Sequence, residues 1–145
     1  MKEHLRLRAG ITLFVRKGAQ SIWENGIFQN CFFLANLLRH SPVVADVFLV
    51  CSGDGDAQDR TRFLADSPVP WMDEPQALQT LDVLIEMSST LADDWTVPFR
   101  ARGGKIIACC VGNDFVIDAE RLAFDLPHGR LVPQTQRDAV WTLEE

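Results

Sequence analysis

No apolar run in this chain approaches the roughly 20 consecutive residues that a helix needs to cross a bilayer. The opening stretch "MKEHLRLRAG" has basic residues but no apolar centre, so it does not read as a secretory signal, and the expected location is the cytoplasm. Basic side chains are outnumbered 14 to 20, for a formal net charge of −6, which argues against a dedicated nucleic-acid binder. Histidine is scarce: His4, His40 and His128 are scattered. The cysteines Cys31, Cys51, Cys109 and Cys110 show no CxxC spacing, so neither a structural zinc site nor any other metal site is expected. All four lie in apolar segments and read as buried, reduced thiols. No GxGxxG follows the first apolar segment, and no GxxxxGK followed by Ser or Thr occurs, which removes both nucleotide-binding glycine loops and leaves no cofactor implied.

What is present is a strand-then-helix alternation in 145 residues, 47% of them hydrophobic. "GITLFVR" at 10–16, "ADVFLVC" at 45–51, "DVLIEM" at 82–87 and "KIIACCV" at 105–111 are continuous apolar strands. "VPWM" at 69–72 is a short edge strand, because Pro70 has no N–H for a central ladder, and "DAVWTL" at 138–143 is a last strand. Helices are expected at 26–39, opened by Asn25 and closed at Ser41–Pro42; at 59–67; at 73–81 with Asp73 as cap; near 91–104, interrupted by or starting at Pro98; and at 113–124. Strands that are apolar on both faces imply a mainly parallel sheet with helices on each side. The expected fold is therefore a single Rossmann-like, doubly wound, three-layer α/β domain over residues 1–145.

Ligands in such folds bind beyond the carboxyl ends of the strands, which directs attention to the loops at 16–26, 52–56, 86–91 and 111–114. The first is the richest. Arg16 and Lys17 bring charge, Trp23 a flat apolar face, and Asn25 and Gly26 a helix start where a ligand approaches the backbone closely. Asn25 as a plain helix cap and Trp23 as loop packing are the competing readings. In the last loop, Gly112 permits a tight turn and Asn113 and Asp114 stand at a helix start, either as caps or as partners for sugar-like hydroxyls. Glu86 ends a strand, as a general base or as a solvated terminus. "CSGDGD" at 51–56 carries three acids that repel phosphate and falls short of a calcium loop, so it reads as a solvated turn. No GxSxG elbow and no nucleophile–histidine pair emerge.

"GxxxNxxFLANLL" at 26–38 followed by an apolar strand resembles the first helix of GT-B glycosyltransferases. In order, "GITL", "SIWENGIFQNCFFLANLLRHSP", "VFLV", "LDVLIEM", "RARGGKIIACCVGNDFV" and "RDAVWTL" resemble a bacterial family, the domain of unknown function 2827, which is glycosyltransferase-like. The resemblance covers nearly the whole chain. It implies the N-terminal, acceptor-side half of a two-domain GT-B enzyme, with a glycan or other hydroxyl acceptor as partner and a nucleotide-sugar held only by a missing C-terminal donor domain. Carried over by position, Asn25, Gly26, Gly112, Asn113 and Asp114 line the cleft. The histidine that many GT-B enzymes carry after a central strand of this domain is absent, since those positions read "EMSS" and "CCVGND", so no catalytic residue is carried over. A half-enzyme exposes an apolar face, and Trp23, Phe28 or Trp141 is expected at a homodimer contact. The alternative is a non-catalytic flavodoxin-like or receiver-like binding domain. Arg16 and Lys17 stand where a receiver needs acids, and "RKGAQS" makes a poor flavin phosphate loop.

Overall fold

A computed structural model describes residues 6–19, 21–111, 114–126 and 137–142, with backbone only for 114–118. Six parallel strands form one sheet: β1 (Leu7–Phe14), β2 (Val44–Ser52), β3 (Trp71–Asp73), β4 (Val83–Glu86), β5 (Lys105–Cys110) and β6 (Ala139–Thr142), in the order β3-β2-β1-β4-β5-β6. Among the described residues, five α-helices alternate with them: α1 (Gly26–Leu38), α2 (Ala57–Phe63), α3 (Glu74–Thr80), α4 (Asp93–Ala101) and α5 (Asp114–Ala123). This is the expected Rossmann-like α/β arrangement. No described helix is long and apolar enough to cross a membrane.

The sheet separates two apolar cores, as the two-residue period of strands requires. Ile11, Leu13, Leu49, Cys51, Ile85 and Cys109 point to the α1–α2 face, where Phe28, Cys31, Ala35 and Phe63 meet them. Val50, Met72, Leu84 and Ile106 point the other way, to Ala77 of α3 and Trp95 and Phe99 of α4. The run of apolar residues in each strand thus serves both cores. β3 is an edge strand, with Pro70 just before it. All four cysteines are buried and unpaired by disulfide.

Three local expectations change. The second helix begins at Ala57 rather than 59, because Asp56 caps it: its carboxylate accepts from Asp59 N–H while that of Asp59 accepts from Asp56 N–H. Pro98 neither starts nor ends α4 but sits inside it, and the helix closes at Gly103 (φ 98°), whose N–H bonds Arg100 O while Gly104 N–H bonds Phe99 O. Phe28, expected at a dimer contact, is 7% exposed and stands edge-on to Phe63 at 5.3 Å, so the core claims it. Trp23 and Trp141 are each 41% exposed.

Candidate functional site

The chain builds the sheet outward from β1 in one direction (β2, β3), then returns to lay β4, β5 and β6 on its other side. Between the ends of β1 and β4 the two crossovers diverge and leave a crevice. A cavity of about 550 Å³ opens there. Phe14 of β1, Ser52 and Gly53 at the end of β2, and the loop Ser88–Leu91 after β4 form its floor and one wall. Glu74, the first residue of α3, and Ala92 and Asp94 at the start of α4 form the other.

The hydroxyl wall is fixed from below. Thr12, fully buried in β1, receives Met87 N–H at 3.0 Å and Ser89 N–H at 3.4 Å on its Oγ1 and donates to Ser89 O at 2.7 Å. Ser52 Oγ and Ser89 Oγ are 2.7 Å apart. Ser88 Oγ accepts from Phe14 N–H at 3.1 Å, which leaves its own proton to donate. At the far end of the loop, Leu91 N–H donates to Glu86 Oε1 at 2.8 Å. Side chains on three strands thus hold one loop, and such support orients the groups it presents.

Two acidic residues, Glu74 and Asp94, line the same cavity. Burial pushes the Glu74 carboxyl above its ordinary range, with Asp94 and Asp73 adding to the shift and the Arg60 guanidinium opposing it. No side chain caps α4: Ala92 stands at its N-cap, and Asp93 and Asp94 fill its first turn. The arrangement suits a ligand whose hydroxyls accept from N–H and O–H groups and donate to carboxylates.

Next to the cavity, the first loop and the "CSGDGD" turn close on each other. Lys17 N–H donates to Asp54 at 3.0 Å, Gly18 N–H to Asp59 at 3.2 Å, and Gly55 N–H to Val15 O at 3.0 Å. Gly53 has φ 93°, and a Cβ there would stand 2.5 Å from Val15 O. Its glycine serves this close approach of backbones. Burial opposes ionisation of Asp59, but N–H groups of Asp56 and Gly18 and the Arg62 guanidinium at 2.6 Å hold its carboxyl below the usual range. Asp54 and Asp56 are likewise engaged with backbone N–H groups, and no metal-binding cluster occurs among the described residues.

The residues singled out in the sequence fall in separate places. Asn25 caps α1, its Oδ1 accepting from Ile27 N–H at 2.8 Å. Gly26 follows as the first helical residue, exposed, with open space where a Cβ would be. Trp23 lies in a 3-10 turn (Ile22–Glu24) and packs edge-on against Phe32 at 5.1 Å, while its carbonyl accepts from Gln29 Nε2 at 3.0 Å. These three are close in sequence but do not line the switch-point cavity. Gly112, Asn113, His4 and His128 lie outside the described residues, as does the side chain of Asp114, the first residue of α5.

Glu86 is no solvated terminus. It is fully buried and forms a two-pronged ion pair with Arg137, Nη2 to Oε1 at 3.0 Å and Nε to Oε2. Because Oε1 also takes Leu91 N–H, the same carboxylate braces the cavity loop. Sequence reasoning missed Ser52, Ser88, Ser89, Glu74 and Asp94 as a group. The loops at 52–56 and 86–91 follow strands and are expected ligand-binding loops, but nothing in the sequence singles out Glu74 or Asp94.

A second groove of about 350 Å³ lies on the α1 face, mostly apolar, between Asn30 and Leu34 of α1 and Cys109, Val111 and Trp141.

A family described as "Protein of unknown function (DUF2827)" matches residues 9–145. The chain belongs to this family. The matched span includes every residue that lines the switch-point cavity. No curated protein and no solved structure matches the sequence.

Proposed function

We propose that this DUF2827 chain is the acceptor-side domain of a GT-B-type glycosyltransferase. It binds a glycan or another hydroxyl-bearing acceptor in the switch-point cavity and transfers sugar only with a second, donor-binding domain. The observation that carries the reading is the cavity's lining: Ser52, Ser88 and Ser89 together with Glu74 and Asp94, at strand ends where α/β folds bind ligands. A polyol satisfies both walls at once. A nucleotide does not, because the lining offers no cation and no glycine-rich phosphate loop. Glu74 is the better placed proton acceptor of this site. It lines the cavity, whereas Glu86 is not a lining residue and is taken up by its ion pair with Arg137. The strand order 3-2-1-4-5-6 also weighs against a flavodoxin-like or receiver-like domain, whose order is 2-1-3-4-5.

Calorimetric titration with a panel of simple glycans, nucleoside diphosphates, nucleotide-sugars and flavin tests this. Heat with a glycan and none with nucleotides is the expected result. Tight nucleotide or flavin binding, or sugar transfer by this chain alone, contradicts it.

A further inference from the structure

The acceptor reading leaves open which hydroxyl compounds enter, and the electrostatics of the cavity narrow that choice. Its charged lining residues, Glu74 from α3 and Asp94 from α4, are both acidic. Asp73, at the end of β3, adds its field to that of Asp94 on Glu74, and Asp93 stands in the same first turn of α4. Among the described residues, the cation acting on Glu74 is Arg60 of α2, which does not line the cavity. Arg60 acts on Glu74 more strongly than either aspartate, and burial, the largest cause, leaves the net shift upward. The opposite wall contributes hydroxyls, fixed through Thr12 and Ser52, and no charge.

We propose that this cavity selects its acceptor by charge, taking an amine-bearing sugar or similar amino-alcohol and refusing anionic ones. The inference rests on the acceptor reading and deepens it. An ammonium group between Glu74 and Asp94 offsets the mutual repulsion of the two carboxylates, while the ligand's hydroxyls meet Ser88 and Ser89. A uronate or sugar phosphate of the same shape brings a third negative charge to the site. The same geometry sets the pH response. A bound ammonium favours the ionised form of Glu74, so binding releases protons and weakens as pH falls into the range where Glu74 protonates.

The test compares glucosamine, glucose and glucuronate, which share a ring and differ in charge, by calorimetry on the full chain at neutral pH and low salt. The expected order of affinity is glucosamine, then glucose, then glucuronate. The first gap is about tenfold or more, the size of one charge-assisted hydrogen bond, and shrinks with added salt. The double variant Glu74→Gln with Asp94→Asn, confirmed as folded by its thermal melt, brings the glucosamine-to-glucose ratio to within about twofold, because neutral amides no longer discriminate charge. Equal affinity for glucosamine and glucose overturns the charge selection and leaves the acceptor reading standing. Glucuronate binding best overturns the charge selection outright. No binding of any of the three at tens of millimolar removes both.

Discussion

The hydroxyl of Thr12 sits inside β1 and holds the loop after β4, donating to Ser89 O at 2.7 Å and accepting from Met87 N–H at 3.0 Å. A buried side chain of one strand thus fixes the cavity wall that belongs to another. Thr12→Val keeps the shape but strips these bonds and strands buried backbone groups. The expected cost is about 2–4 kcal/mol, read as a lower urea midpoint, together with weaker glycan binding. A stability loss under about 0.5 kcal/mol means that the hydroxyl does not brace the loop.

Glu86 and Arg137 form the second brace, and here the arithmetic of buried ion pairs is informative. Removing one partner leaves a charge without its counter-ion, so Glu86→Ala or Arg137→Ala destabilises by about 3–5 kcal/mol. Replacing both with apolar residues, as in Glu86→Leu with Arg137→Met, costs less than the two single changes added together. A double-mutant cycle in urea checks this. Strict additivity of the two losses contradicts the pair.

Two aspartates set the acid limit of the fold. N–H donation from Ile106, aided by Arg100 and Lys105, holds the Asp138 carboxyl below its ordinary range, and the hydrogen bonds to Asp59 do the same there. The folded state therefore binds fewer protons than the unfolded one at low pH. The stabilisation is complete above the unfolded carboxylate value of about 4 and is lost as pH falls through the folded values. Asp59→Asn and Asp138→Asn should each lower the neutral-pH urea midpoint, with the deficit shrinking as pH falls below the unfolded carboxylate value of about 4. A deficit that does not change with pH excludes the charge as its cause. Glu74 has the opposite sign, its raised value favouring the fold only on the acid side.

The thiols should be silent in the native protein. Burial pushes Cys51 up to about 12, Arg60 pulling the other way, and Cys31 donates its S–H to Thr12 O at 3.6 Å. Labelling by a thiol reagent at neutral pH is expected to proceed at the rate of global or local opening, accelerating with urea. Rapid modification of any of the four without denaturant contradicts the described core.

The fold was legible because burial leaves a local trace. "KIIACCV" and "ADVFLVC" have no polar face, and that pattern already requires helices on both sides of the sheet. The cap of α1 was legible for the same reason, since Asn25 and the helix it opens are neighbours in sequence. The cavity was not. Ser52 and Ser89 are 37 positions apart, and they meet only because the chain returns past β1 to lay β4 beside it. Strand order is not encoded in any single segment, so nothing in the sequence set Glu74 and Asp94 apart. Phe28 misled differently. Its spacing placed it on the apolar stripe of α1, and the aromatic residue that covers it, Phe63, belongs to another helix.

The most direct measurement is amide chemical-shift mapping of the full chain during titration with glucosamine. The account predicts perturbations at Ser52, Gly53, Glu74 and Ser88–Asp94, saturating together with one affinity. Perturbations confined to Trp23–Gly26, with the Ser88–Asp94 amides unmoved at saturation, contradict the assignment of the switch-point cavity as the acceptor site.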